Sequence, residues 1–267
     1  MSQTREYEIL KYKSGAFNWK KDLVAEERLV EIYVNNRPYV SVMATPAQLD
    51  FLAIGYLFTE GAIGGISDIS DISVNGLKVQ AEIKTGRSAP PRRARSSGFG
   101  LGSVAVDDLR EFRAVKADPP AIGAGLIIEL MEEFNRQSDL FRQTGAVHSA
   151  CLVKGRQRFF AEDVGRHNAL DKVIGQYLRA GFSEEAGLIL TTGRVSTEIL
   201  IKASKAGLGT VISRSAATDR AVELARDLNM ILIGFARQNR FNIYHGGWLI
   251  EGGPSGGSAP GENTPDL

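Results

Sequence analysis

The chain has 267 residues, with 32 basic against 31 acidic side chains and a hydrophobic fraction of 43%. That composition supports one large domain or two smaller ones, and a formal charge of +1 excludes any global electrostatic reason to bind nucleic acid or a membrane surface. The single cysteine, Cys151, excludes an internal disulfide framework and every zinc site built on a cysteine pair.

No apolar run approaches the roughly 18 residues of a spanning helix. The opening Met1-Ser-Gln-Thr-Arg-Glu-Tyr7 lacks the apolar core of a signal peptide, so a cytoplasmic protein is expected. Residues 1–22 are expected as a flexible lead. From Glu26 to Thr45, Leu29, Val30, Ile32, Val34, Tyr39, Val40 and Val42 alternate around Asn35-Asn-Arg-Pro38, the pattern of a hairpin. Thr45-Pro46 then opens a helix, with proline at its first position and Leu49, Leu52, Ala53, Tyr56 and Leu57 on the buried face. Residues 66–84 read as two short strands around Asn75-Gly76, so 23–85, joined by 104–118, form a small α+β unit.

A composition break follows. The stretch from Gly86 to Ser103 holds four arginines and four glycines with no acid. It reads as a mobile loop, serving either as an exposed linker or as an arm whose guanidinium forks meet phosphates.

From Pro119 the grammar changes. The pattern predicts a helix at about 120–136, strands at 146–153 and 157–162, and a helix after 166. A strand at 187–191, a helix at 196–206, a strand at 209–213, a helix at 217–228 and a strand at 230–235 follow. Such alternation predicts a three-layer α/β domain over 119–250 with a largely parallel sheet. The tail, 251–267, is rich in Gly, Pro and Ser and is expected to be disordered.

Three stretches of this half concentrate polar chemistry. Ala161-Glu-Asp-Val-Gly-Arg-His-Asn-Ala-Leu-Asp-Lys172 precedes a helical stripe that sets His167 and Asp171 one turn apart. It reads either as a capped helix start, with Asp163 holding the turn, or as the wall of a pocket. Thr191-Thr-Gly-Arg-Val-Ser-Thr-Glu198 and Ser213-Arg-Ser-Ala-Ala-Thr-Asp219 each place hydroxyls and an arginine before a helix N-terminus. Free N–H groups and the helix dipole favour an anion there. N-capping by Ser196 and Thr218 is the plainer alternative. Two such turns on adjacent βα units point to a pocket for something phosphorylated, since ligands of open α/β sheets sit at strand carboxyl ends. Cys151, flanked by Ala150, Leu152 and Val153, reads as a core thiol. No Pro-Cys-x-x-Cys pair accompanies His148, so a zinc deaminase site is not expected, nor is any other metal site.

Several of these stretches together resemble one family, the formate dehydrogenase accessory protein FdhD. They are Met43-Ala-Thr-Pro46, Leu52–Gly61, Gly145-Ala-Val-His148, Glu162–Lys172, Gly193–Glu198, Ser213–Thr218 and Gly234-Phe-Ala-Arg237. The resemblance implies a cytidine-deaminase-like C-terminal domain, a homodimer, and binding of the molybdenum cofactor in its bis-molybdopterin guanine dinucleotide form, with GDP as a fragment mimic. It further implies sulfur transfer from a cysteine desulfurase to that cofactor before insertion into formate dehydrogenase. The segment similar to the family's cofactor-contacting stretch is Phe235, Ala236, Arg237, Gln238, Asn239 and Arg240. Arg194, Ser196, Ser213, Ser215 and Thr218 are the candidates for phosphate. His148, Glu162, Asp163 and His167 are the expected polar floor, with Asp171 and Lys172 as a pair behind it.

One departure stands out. Sulfur-carrying members have Cys-Gly-x-Cys after a Ser-Gly, whereas here Ser97-Gly98 is followed by Phe99-Gly-Leu-Gly102. A persulfide needs a nucleophilic sulfur on an accessible segment, and Phe99 and Gly102 supply none, so no catalytic residue is assigned. Alternatives are a cofactor-binding chaperone without the transfer chemistry and, more remotely, a nucleotide hydrolase using Glu162, Asp163 and His167 with a borrowed metal.

Overall fold

The computed structural model describes residues 1–84, 119–181 and 187–253. The Arg/Gly stretch with Phe99 and Gly102, the segment 104–118 and the tail beyond 253 lie outside the described residues.

The expected flexible lead is instead a long antiparallel hairpin, β1 (Thr4–Lys13) and β2 (Ala16–Ala25). Its turn is made by Ser14 and Gly15, both at positive φ. The register pairs Leu10 with Trp19 and Tyr12 with Phe17. All four side chains therefore share one face near the tip, and all four are exposed. Alternation in this segment is interrupted at Ile9-Leu10, Lys20-Lys21 and Leu23-Val24, so its strand character is not visible as one continuous hydrophobic pattern.

The small α+β unit has a sheet ordered β4-β3-β6-β5, built from β3 (Arg28–Val34), β4 (Arg37–Ala44), β5 (Ile69–Asn75) and β6 (Lys78–Ile83). Asn35 and Asn36 at φ 47 and 62 make the tight turn between β3 and β4, as a two-residue hairpin loop requires. Helix α1 (Leu49–Thr59) lays Leu49, Leu52 and Ala53 on Val30, Ile32 and Val42. It begins three residues later than the proline rule suggests, because Gln48, in the left-handed region, is its N-cap.

The larger unit centres on a six-stranded sheet ordered β13-β12-β11-β10-β8-β9. Its strands are β8 (His148–Lys154), β9 (Gln157–Asp163), β10 (Leu188–Thr191), β11 (Thr210–Ser213), β12 (Ile231–Arg237) and β13 (Arg240–His245). A short parallel bridge joins β7 (Ile122–Gly123) to β14 (Ile250–Glu251). The sheet is mixed rather than largely parallel. Only β10–β11 and β11–β12 are parallel, while β8–β9, β8–β10 and β12–β13 are antiparallel. The hairpins at both ends, which need no crossover helix, account for the difference.

Helices α4 (Arg166–Arg179), α5 (Thr197–Lys205) and α6 (Asp219–Asp227) cover one face through Ala150, Leu152, Ile189, Val211 and Leu232. Helix α2 (Ala124–Gln137) covers the other through Cys151, Val153, Leu190, Ile212 and Ile233, and the short α3 (Asp139–Thr144) follows it. Period-two alternation along each strand thus feeds two apolar layers.

The two units share a dense seam between α1 and α4. A Cβ on Gly55 would lie 1.8 Å from the Asp171 carbonyl oxygen, and one on Gly175 would lie 2.0 Å from that of Phe51. Reciprocal glycines therefore let the two backbones touch. Two buried ion pairs flank this crossing. Lys172 Nζ is 2.6 Å from Asp163 Oδ2, both side chains fully buried, and donates to the carbonyls of Thr45 and Glu162. Lys202 Nζ grips both oxygens of Asp171 at 2.8 Å, and Thr59 donates to the same carboxylate. Burial opposes the Lys202 charge, but Asp171, Glu60 and Glu198 outweigh it and hold its ammonium above the ordinary lysine range. The expected Asp171–Lys172 pair is thus replaced by two crossed pairs. Residues adjacent on a helix point about 100° apart, so they meet different neighbours.

Candidate functional site

Because β9, β10, β11 and β12 run one way and β8 and β13 the other, Asp163, Thr191, Ser213 and Arg237 end on the same sheet edge from which His148 and Arg240 start. Asp171 and Lys172 belong to the α1–α4 seam and Cys151 to the core, whereas most of the residues named from the sequence for the cofactor site lie on or next to this edge. The topology gathers them, but the hydrogen bonds sort them.

Several are already fully engaged. Asp163 Oδ1 accepts from Gly165 N at 2.8 Å and Asn168 Nδ2 at 2.9 Å, while Oδ2 accepts from Thr45 N at 3.1 Å and meets Lys172. It holds the turn into α4 and the seam, with no lone pair left for a ligand. Glu162, its neighbour, points to the opposite face and takes the N–H groups of Leu140 and Phe141 at 3.0 and 2.9 Å, anchoring the start of α3. Neither carboxylate is part of an open polar floor.

The two turns are locked to each other. Ser213 Oγ donates to the Gly193 carbonyl at 2.6 Å and accepts from Ser215 N at 2.9 Å. Val195 N donates to Ala216 O and Thr218 N to Val195 O. Thr218 caps α6, accepting from Ala221 N. Ser196 stands at the N-cap of α5 yet makes no capping bond. The plainer reading therefore holds for Thr218 and fails for Ser196.

Further along the edge, Phe235 N donates to Ser215 O, and Phe235 itself sits at φ 52, a conformation costly for an aromatic residue. Gly234 before it is obligatory, since a Cβ would lie 2.7 Å from the Tyr244 ring and 2.9 Å from Ser215 O. Ala236 turns inward and is core. Arg237, Gln238, Asn239 and Arg240 are exposed around the β12–β13 turn, where Gln238 again has positive φ and the Arg237 guanidinium lies over the Phe235 ring.

At the centre, Arg166 and His148 face the Gly193-Arg194 turn, and His167 Nε2 lies 3.2 Å from Glu198 in the first turn of α5. A Cβ on Gly193 would come within 3.0 Å of Arg166 Cβ and 3.5 Å of His148 Nδ1. Of the four buried side-chain nitrogen or oxygen atoms without a hydrogen bond among the described residues, three are Arg166 Nε, His167 Nε2 and Ser196 Oγ. The fourth, on Arg158, lies 3.3 Å from a Glu133 carboxylate oxygen. Burying such atoms unpaired is costly unless a ligand completes them.

His167 is 7% exposed. Burial first, then Lys202, Arg166 and His148, push its pKa down to about 3, so the imidazole is neutral and its 3.2 Å approach to Glu198 is no ion pair at neutral pH. Burial and Arg166 also lower His148. Burial, followed by Arg194, lowers Arg166 against the smaller opposing pull of Glu198. The cluster is therefore two guanidinium groups, two neutral imidazoles and one half-exposed carboxylate, which suits an anion. Arg166 and Gly193 were not named from the sequence as site residues, although both lie inside the stretches singled out there. The dense run before α4 was the available signal.

The model of the FdhD/NarQ family matches residues 25–250. The sulfur carrier protein FdhD of Listeria monocytogenes serovar 1/2a is 35% identical over 248 residues, covering 89% of this chain and 95% of the relative. That of Geobacillus kaustophilus is 34% identical over 245 residues, covering 88% and 93%. A crystal structure of a formate dehydrogenase accessory protein from Desulfotalea psychrophila has the same fold, with a TM-score of 0.76 at 24% identity over 93% of this chain and 100% of that one. Together with the Glu162–Lys172 motif and the turns it faces, these matches mean that the chain belongs to the FdhD/NarQ family.

Proposed function

We propose that this chain is an accessory protein for formate dehydrogenase that holds the molybdenum cofactor, as bis-molybdopterin guanine dinucleotide, by its phosphates and guanine at the carboxyl edge of the six-stranded sheet. The observation that carries the reading is the set of orphaned polar atoms on Arg166, His167 and Ser196 beside the exposed Arg194. They fit a polyanionic ligand, and the cofactor enters as cargo. The Phe235–Arg240 stretch, in which a half-buried aromatic ring precedes exposed Arg237 and Arg240, supports contacts to the nucleotide base and its outer phosphate. The mixed sheet covered on both faces supports reading the larger unit as cytidine-deaminase-like.

The test is a calorimetric titration with GDP. Arg194→Ala is expected to weaken GDP binding by about 1–3 kcal/mol, the scale of a charge-assisted hydrogen bond. An unchanged affinity removes Arg194 from the site.

Curated relatives are named sulfur carriers, and the family reading adds transfer of sulfur from a cysteine desulfurase. In this chain one observation favours the second reading, a cofactor chaperone without that chemistry. Cys151, the sole thiol, is 1% exposed, and burial pushes its pKa up to about 12, so it offers almost no thiolate. Incubation with a desulfurase and labelled cysteine is expected to leave the native protein free of protein-bound persulfide. Stoichiometric labelling lost in Cys151→Ala would overturn the chaperone reading.

No helix among the described residues is long and apolar enough to cross a membrane, which is compatible with a cytoplasmic site of action. The exposed tip of the β1–β2 hairpin supports a homodimer, and a single-chain mass by light scattering would refute it.

A further inference from the structure

The edge holds more positive charge than the fold neutralises. Arg166 lies at the start of α4, packed over Gly193, which places its stem within 3.1 Å of where a Cβ would stand. Arg194 is the next residue of the turn, and it acts on Arg166 strongly enough to help lower that group's pKa. Among the described residues neither guanidinium has an ion-pair partner. Glu198, whose charge pulls against this repulsion, reaches 3.2 Å from His167 Nε2 and is 46% exposed on its side chain, so water screens it. Asp163, the other acid that acts on the cluster, is spent on Lys172.

Like charges brought together this way raise the energy of the empty site and lower that of an anion-bound one. A fully formed network would have shown these donors satisfied within the fold. Instead Arg166 Nε, Ser196 Oγ and His167 Nε2 are buried and unpaired, and His167 is more than nine-tenths buried. Arg166 begins α4, and the Gly193–Ser196 turn beside it leads into α5; the positive ends of helix dipoles favour an anion.

We infer that Arg166 and Arg194, set by Gly193, form a two-guanidinium clamp for one phosphate-class oxyanion, with His167 Nε2 and Ser196 Oγ as its neutral hydrogen-bonding partners. This deepens the cofactor reading and rests on it for the identity of the natural ligand, a nucleoside diphosphate group. The clamp itself recognises only the oxyanion. Arg166 is the residue that sets specificity for phosphate, because its stem is fixed by packing whereas Arg194 is exposed. Its planar fork matches two oxygens of one phosphate, which a lysine does not.

Titration of the full chain with inorganic pyrophosphate, GDP and guanosine separates the parts. Arg166→Ala is expected to weaken pyrophosphate and GDP at least tenfold while leaving guanosine unchanged, a pattern that a general loosening of the fold would not produce. Arg166→Lys should recover only part of the loss. Gly193→Ala keeps both arginines but displaces the Arg166 stem, and is expected to weaken pyrophosphate several-fold. Arg220→Ala, an exposed arginine of α6 paired with Glu223, is the charge control and should change nothing.

Pyrophosphate binding that is equal in wild type and Arg166→Ala, or no pyrophosphate binding by wild type at millimolar concentration, overturns the clamp. Should pyrophosphate bind through Arg166 while GDP binds no better and guanosine not at all, the clamp stands and the guanine-dinucleotide reading falls. An adventitious anion site would respond equally to Arg166→Ala and Arg220→Ala, and that result also overturns the inference.

Discussion

Alanine at Gly55 or at Gly175 is expected to cost about 3 kcal/mol or more, a large share of the roughly 5–15 kcal/mol that holds a domain folded. A methyl group at either place would stand about 2 Å from a backbone carbonyl oxygen of the facing helix, well inside van der Waals contact. Backbone cannot swing aside as a side chain can, so α1 and α4 would have to separate. Separation is resisted on both sides, by Asn168 on the Met43 carbonyl at 2.8 Å and by Thr59 on Asp171 at 2.9 Å. Gly125, near the start of α2, is the control. A Cβ there meets nothing within 4 Å, so Gly125→Ala should be neutral or slightly stabilising through helix propensity. Thermal melts of the three variants read this directly, and wild-type stability in Gly55→Ala would show that the helices do not touch.

Lys172→Met is expected to destabilise the protein by about 3–5 kcal/mol, because it strands a buried carboxylate. Asp163 would keep three N–H donors but lose its only cation. Asp163→Asn removes the opposite partner and leaves an ammonium that can neutralise itself, since burial already lowers Lys172 even against the attraction of Asp163. A lysine whose folded pKa lies below its unfolded value binds fewer protons when folded, so stability rises with pH through that window. The destabilisation of Asp163→Asn should therefore shrink between pH 7 and 10, whereas that of Lys172→Met should not. Parallel denaturant titrations at these pH values distinguish the two, and pH-independent losses in both variants would refute the assignment.

How much of this was legible beforehand follows from range. The β3–β4 and β5–β6 hairpins, the helices from Arg166 onward and the turns after β10 and β11 rest on local signals such as Asn75-Gly76 and a helical stripe, and the structure has them nearly where the pattern places them. Pairing directions were not legible, because β8 and β10 are joined through β9 and α4, and nothing local says that they meet antiparallel. The same distance hid the partners of Asp171 and Lys172. Lys202 lies 31 residues from Asp171, and Thr45 lies 127 from Lys172. At the site, the residue types were right and their duties mixed. Ser196 and Thr218 look alike in sequence and each follows one residue of the Val195–Ala217 bridge, yet only Thr218 closes its cap, a difference that no local signal in the sequence carries.

The seam between α1 and α4 has a consequence for the integrity of the molecule. Its contacts join residues 43–59 to residues 163–205 without using the chain that lies between 84 and 119. Backbone contact, two enclosed ion pairs and shared apolar packing by Ile54 make that junction an interior rather than an interface of separate parts. The described parts of the chain on either side of 85–118 are therefore held to each other by an interior of their own and not by the polypeptide alone. Continuity of the polypeptide and continuity of the fold are, in this protein, different properties.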